Sequence, residues 1–312
     1  MTDDRRHSGE VERDTSADRR QSDGVRTPQD DTLQRFSFPV LAARGQFVTL
    51  ADTWKDATAS QTLPDAARRA VGEAMAVAAL LADGIKFDGR VALQARGDGA
   101  ISTLLGECTN RETLRGYARL DDDAEAAIAA GELGLGTGQL AISLIPERGE
   151  LHQGIVELKS NIAAAIEHYF LNSEQLPTLV ATAVDDERVC ALLLQQLPSS
   201  STAESEEWDR LAALFQTCSE AELLSLQRET LLKRLFASDT ISLHAARPLR
   251  FACSCSRERS EAALKMLGPE ELIELTSETN GIEISCEICG TTYHWDTIEA
   301  HLLFATDDPQ VH

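Results

Sequence analysis

The chain has 312 residues, 43% of them hydrophobic, enough to bury one large core and a smaller one. Its 51 acidic against 29 basic side chains give a formal charge of -22, which repels nucleic-acid phosphate and anionic lipid alike and excludes a general nucleic-acid or membrane-surface role. The apolar runs are far too short to span a bilayer and the first residues hold no signal-peptide apolar region, so a cytoplasmic location with reduced thiols is expected.

Residues 1–30 carry eight acidic and six arginine side chains and almost no large apolar residue. Such a stretch cannot offset the entropy of ordering, and a disordered tail is expected. From Leu33 an apolar pattern begins. Phe36, Phe38, Phe47, Val48 and Leu50 alternate around Arg44-Gly45, which predicts two strands joined by a turn there. Pro64 and Asp65 open a helix whose small apolar residues recur at helical spacing until Asp83-Gly84 closes it. Short strand-like runs separated by glycine turns follow at Gly89 to Ala95, Ile101 to Leu105 and Gln139 to Ile145. The order of elements predicts an α+β fold, with a mixed N-terminal core over residues 31–198.

Glycines at 131, 134, 136 and 138 resemble a phosphate cradle only superficially, because the segment after them reads as a strand and a nucleotide loop opens a helix. No Gly-x-x-x-x-Gly-Lys-Ser/Thr loop occurs, so no nucleotide is expected as a ligand. Asn161 is placed to cap a helix running to Leu171, and Leu176 to Val184 with Arg188 to Leu197 read as a strand pair. Asp121-Asp122-Asp123 reads as a solvated loop or helix start. Past the break at Ser199 to Thr202, three short amphipathic segments carry Trp208, Leu211, Leu214 and Phe215, then Leu223, Leu224 and Leu226, then Leu231, Leu232, Leu235 and Phe236. Helices this short are stable only when another body covers their apolar faces. Residues 199–250 are therefore expected to be a helical segment whose natural cover is the preceding domain.

Four cysteines dominate the C-terminal part: Cys253 and Cys255 in Cys-Ser-Cys, then Cys286 and Cys289 in Cys-Glu-Ile-Cys-Gly. Two such pairs predict one tetrathiolate zinc ion. Zinc holds its sulfurs about 3.8 Å apart and a disulfide needs about 2.05 Å, so a pair holds metal or bonds covalently, never both. The site reads as a structural clamp or as an oxidation switch. Around it, Ser256 caps a helix from Arg257 to Leu267, Gly268 ends it and Pro269 starts another. Asn280-Gly281 makes a turn, Ile282 and Ile284 lead into the second pair, Thr292 to Trp295 returns as a strand, and Asp296 caps a last helix. This zinc domain, 251–305, precedes a tail at 306–312. His294 and His301 are expected outside the coordination sphere, which four thiolates already fill. Arg257, Arg259 and Lys265 either partly neutralise the thiolates or decorate a helix. Cys108, Cys190 and Cys218 stand alone and read as small buried hydrophobes.

Two other classes compete with a binding protein. A thiol-disulfide oxidoreductase also uses Cys-x-x-Cys, but at the start of a helix after a strand, whereas Cys286 to Gly290 lies between two strand-like pieces. A zinc-ribbon interaction protein of the nucleic-acid-binding kind is opposed by the negative charge. No Ser-His-Asp, His-Glu-x-x-His or paired-carboxylate arrangement marks the chain as an enzyme.

Several separate segments resemble one family in order along the chain: Leu33-Gln-Arg-Phe, Lys86-Phe-Asp-Gly-Arg, Gly97-Asp-Gly, His152-Gln-Gly-Ile-Val, Tyr169 through Thr178, Leu194-Gln-Gln-Leu-Pro, Phe251 through Arg259 and Cys286 through Gly290. The family is the thirty-three-kilodalton heat shock protein, a redox-regulated, ATP-independent holdase chaperone. The resemblance implies an α+β substrate-binding core at 31–198, a metastable helical linker at 199–250 folded over it and a zinc redox switch at 251–305. It further implies that oxidation joins Cys253 to Cys255 and Cys286 to Cys289, releases zinc and unfolds switch and linker. The active form, often a homodimer, then holds unfolding client proteins. Cys190-Ala191 stands where the family usually has Gly-Gly.

Overall fold

A computed structural model of the chain describes residues 30–122, 124, 134–158, 161–198, 202–279 and 281–305. Residues 1–29, Asp123, Gly131, 199–201, Asn280 and the 306–312 tail lie outside the described residues, and the expectations placed on them with them. In chain order the elements are β1 (Thr32–Ser37), β2 (Ala43–Leu50), α1 (Asp52–Thr58), α2 (Asp65–Ala82), β3 (Gly89–Gly97), β4 (Ile101–Thr109), β5 (Thr113–Leu120), β6 (Gly138–Pro146) and β7 (His152–Glu157). There follow α3 (Ile162–Tyr169), β8 (Thr178–Val184), β9 (Val189–Gln196), α4 (Thr202–Phe215), α5 (Glu220–Ser225), α6 (Arg228–Leu235), β10 (Ser242–Leu243), β11 (Arg247–Pro248) and β12 (Arg250–Phe251). Last come α7 (Arg257–Leu267), α8 (Pro269–Thr279), β13 (Ile282–Ser285), β14 (Thr292–Trp295) and α9 (Thr297–Ala305). This is the α+β fold that the order of elements predicts.

The alanine-rich α2 is the pivot. One sheet, ordered β10-β1-β2-β9-β8 with β11 also on β1, packs on one side, and a second, ordered β12-β5-β4-β3-β6-β7, on the other. Small residues let both sheets approach closely. A Cβ on Gly72 would lie 2.6 Å from Val189 Cγ2, and one on Gly106 would lie 2.3 Å from the backbone carbonyl of Ala74. Gly106→Ala is thus expected to overpack the interface by about 1–3 kcal/mol and lower the thermal midpoint by several degrees; an unchanged melt would show that helix and sheet slide apart freely.

Between the sheets, Val48, Leu50, Trp54, Val71, Met75, Leu93, Leu104 and Ile166 belong to the main core. A second core lies on the far face of the first sheet. There Leu211, Phe215, Leu223, Leu231, Leu232, Leu235 and Phe236, from α4 to the end of α6, close over Phe36, Phe38, Phe47, Leu192 and Leu194. The three segments read as helices between 199 and 250 are helices, and the preceding sheet covers their apolar faces. β9 is the wall common to both cores: Val189, Ala191 and Leu193 face α2, while Cys190, Leu192 and Leu194 face the helices. Burial on both sides explains its unbroken apolar run. A capping box between Ser219 and Glu222 starts α5, and buried Arg228 donates through Nη2 to the Thr32 carbonyl and Thr49 Oγ1 with its guanidinium over the Phe47 ring.

The return of the chain is anchored at Asp83. Its buried carboxylate accepts from Arg35 Nε and Gln46 Nε2 and also pairs with Arg247, which meets Glu112 at 3.0 Å as well. One local expectation fails. Arg44-Gly45 is no turn; it lies inside β2, and the chain reverses between Ser37 and Ala43. Glycine is required at 45 for space, because a Cβ there would sit 2.0 Å from the tip of the Phe36 ring. The helix α1 was not signalled by any local cap: its N-terminal amides at 51, 52 and 53 donate to the carboxylate of Asp31, twenty residues upstream.

Candidate metal centre

Ser256 accepts the Arg259 N–H to begin α7, Gly268 takes a φ of +93° to end it, and Asp296 accepts the Glu299 N–H to begin α9. The antiparallel pair β13-β14 carries the second cysteine motif at its tip. There the Gly290 N–H donates to the Cys286 carbonyl at 2.8 Å and the Cys286 N–H to the Thr291 carbonyl at 2.9 Å, with Gly290 at a φ of +70°. That knuckle points Cys286 and Cys289 at the first motif, which leads into α7.

Cys253 Sγ lies 3.7 Å from Cys286 Sγ, Cys255 Sγ lies 3.4 Å from Cys289 Sγ, and all four sulfurs fall within 4.8 Å of one another. All four thiols are free. The spacing suits the edges of a zinc tetrahedron and exceeds a sulfur-sulfur bond by far. Burial pushes the Cys253 thiol up to about 12 and raises that of Cys255. Burial also opposes ionisation of Cys289, but hydrogen bonds with Thr291 and the neighbouring thiols outweigh it and bring that group down to about 7. Four thiolates this close need a cation, so the donor set fits a divalent metal that prefers sulfur. The structure brings together all four expected ligand residues. His294 instead lies 3.2 Å from Glu283, and His301 bonds Thr276, so neither enters the cluster.

Among the described residues, few fully buried apolar groups support this part of the chain: Leu264, Leu272, Trp295 and Ala300. Arg257 stacks on Trp295 with its guanidinium 4.7 Å from the ring centre, and Arg259 binds Ser254 through its carbonyl and Oγ. Four further neighbours carry no signal in the sequence. Tyr293 donates its hydroxyl to Cys255 Sγ at 3.3 Å. Arg115, on β5, grips buried Glu107 with two bonds of 2.9 Å and donates to Ser254 Oγ at 2.7 Å. Burial disfavours the Arg115 charge, yet Glu107 and the nearby Cys253 sulfur hold its pKa above the usual arginine range. Ser60 donates to the Ile288 carbonyl at 3.2 Å, and Arg119 pairs with Glu287 at 3.1 Å. Arg115→Met is expected to weaken the seat of the cysteine cluster on the core by about 1–3 kcal/mol, read as faster proteolysis after residue 250. Arg119→Met, losing an exposed pair, should cleave at the parental rate.

A family profile described as "Hsp33 protein" matches residues 31–296. The chain belongs to the Hsp33 family. Among curated Hsp33 relatives, the "33 kDa chaperonin" of Ectopseudomonas mendocina is 40% identical over 281 residues, covering 88% of this chain and 95% of the relative. That of Shewanella loihica is 36% identical over 275 residues, covering 88% and 96%. The crystal structure of the 33 kDa chaperonin, heat shock protein 33 homolog, of Thermotoga maritima shares the fold with a TM-score of 0.76 at 22% identity, over 89% of this chain and all of that one. Membership of the Hsp33 family gives the chain a chaperone role. Among the described residues no helix is long and apolar enough to cross a membrane.

Proposed function

We propose that this chain is a redox-switched, ATP-independent holdase of the cytoplasm, inactive while Cys253, Cys255, Cys286 and Cys289 hold one zinc ion. In the active state Cys253 is joined to Cys255 and Cys286 to Cys289. Each pair of thiolates gives up two electrons to an oxidant such as peroxide, which is reduced to hydroxide, and the metal leaves as the divalent ion. The observation that carries this reading is the cluster of four free thiols on a part of the chain with so small a core. Loss of about 10 kcal/mol of metal binding exceeds what such a core supplies. The linker helices at 202–235 are next in line, since only the short rim strands β10, β11 and β12 separate α6 from the cysteine segment. Their departure bares Phe36, Phe38, Phe47, Leu192 and Leu194, an apolar sheet face suited to non-native chains. The charge of -22 keeps that form soluble, and homodimerisation of the oxidised form is part of the proposal.

The test is an oxidant titration that follows zinc release and suppression of client aggregation in the same samples. Both are expected to rise together. Aggregation suppression with all zinc retained would sink the switch. Catalytic reduction of insulin disulfides would favour the oxidoreductase reading instead, which the position of Cys286 to Gly290 in a knuckle between β13 and β14 disfavours.

A further inference from the structure

A strand at the rim of a sheet carries a row of backbone N–H and C=O groups that must be paired or covered. In this chain one rim of each large sheet is closed by the same short stretch, 242–252. Leu243 and Ser242 lie opposite Phe36 and Ser37, and Pro248 and Arg247 opposite Thr32 and Leu33, along the open side of β1. Arg250 and Phe251 then run parallel to Thr113 and Leu114 along the open side of β5. Beyond the ladder itself, amides of the stretch reach the rims: His244 donates to the Arg35 carbonyl at 3.0 Å, Leu249 to that of Asp31 at 2.7 Å, Arg250 to that of Glu112 at 3.1 Å and Ala252 to that of Leu114 at 3.0 Å. The next residue is Cys253, so the closure is joined directly to the thiol cluster.

We propose that the rims of β1 and β5, uncovered when this stretch detaches, capture clients by strand addition, and that they fit extended segments of alternating apolar and basic residues. This rests on the switch reading above and names the surface and partner chemistry it leaves open. The native occupant defines what the rims accept. From Ile241 to Ala252 it reads Ile-Ser-Leu-His-Ala-Ala-Arg-Pro-Leu-Arg-Phe-Ala, with two arginines and no acid. Leu249 is buried and Phe251 packs on the main core, so large apolar side chains have seats beside the rims. Arg247 pairs with Asp83 and Glu112, and its departure leaves Asp83 to Arg35 and turns the Glu112 carboxylate, beside the start of β5, toward an incoming cation on a strongly acidic chain. Main-chain pairing supplies affinity that tolerates many sequences, while the flanking seats add selection.

The test uses oxidised full-length protein and a synthetic peptide copying residues 241–252, compared with the same peptide N-methylated at the positions of His244, Leu249, Arg250 and Ala252. Methylation keeps every side chain and charge and removes these four named donors. The parent peptide is expected to bind the oxidised form, to leave the reduced form alone and to compete with an unfolding client. The methylated one should bind about a hundredfold more weakly, as loss of several net hydrogen bonds implies. Hydrogen exchange in segments 32–37 and 113–120 should quicken on oxidation and slow again on binding of the parent peptide. Equal binding of the two peptides, no binding of the parent, or client capture untouched by saturating parent each overturns the proposal alone. An oxidised protein that suppresses no aggregation before any peptide is added overturns the switch reading, and the proposal with it.

Discussion

Cys286→Ser in the full chain is expected to abolish stoichiometric zinc binding and leave the segment from 251 onward unfolded while the two large sheets persist. Structural zinc contributes on the order of 10–16 kcal/mol in small sites. The apolar groups that would have to replace it are Leu264, Leu272, Trp295 and Ala300, with only partial burial of Ile282, Ile284, Tyr293 and Leu303 around them. Burial of a few large side chains at about 1.5–3 kcal/mol each cannot order some fifty residues that each cost about 1–2 kcal/mol. The checks are metal content, the fluorescence of Trp295 and limited proteolysis. Trp295 is only 2% exposed, so its emission should shift to the red. Cys218→Ser, far from the cluster in sequence and outside it in space, should retain both metal and fold. A Cys286→Ser protein that keeps one zinc and a protease-resistant C-terminal part would refute the dependence on metal.

Phe236→Ala is expected to have the opposite separation of effects, releasing the linker while zinc stays bound. Phe236 follows α6, is 1% exposed and meets Phe38 edge-on with ring centres 5.2 Å apart. Deleting such a ring costs about 3–5 kcal/mol. The linker helices carry one apolar stripe each, and that stripe contacts one sheet face, so the loss falls on a unit able to open by itself. Reduced Phe236→Ala protein should then be cleaved between 202 and 240 and suppress aggregation without oxidant. Leu231→Ala, removing a different fully buried contact, should act in the same direction; Met266→Ala, 87% exposed on α7, should do neither. Variants that stay protected and inert at both linker positions would show that the helices do not gate the sheet face.

Elements whose cause is local were legible in the sequence. α2, the linker helices and the caps at Asn161, Ser256 and Asp296 announce themselves through periodicity and one polar side chain each. So did the four thiols, because their residue type and pairing are chemistry rather than conformation. What escaped has distant causes. α1 depends on the carboxylate of Asp31, and Gly45 looked like a turn because the ring of Phe36 that requires it comes from another strand. β5 mixes Leu114 and Ala118, turned to the core, with Arg115 and Arg119, turned to the cysteine segment. The rim-closing strands are two residues long, too short for any periodicity. Arg115 reaches Ser254 across 139 residues, a proximity that no spacing rule contains.

Asp83 carries a further consequence. Its carboxylate is almost wholly enclosed and answers to half-exposed Arg35 and buried Gln46 on the first sheet as well as to Arg247 from the returning chain. Withdrawing Arg247 therefore strands no lone anion in a dry interior, where it would cost several kcal/mol. The duplicate counter-ion makes the outer contact expendable, and the core is left neutralised and ready to be closed over again.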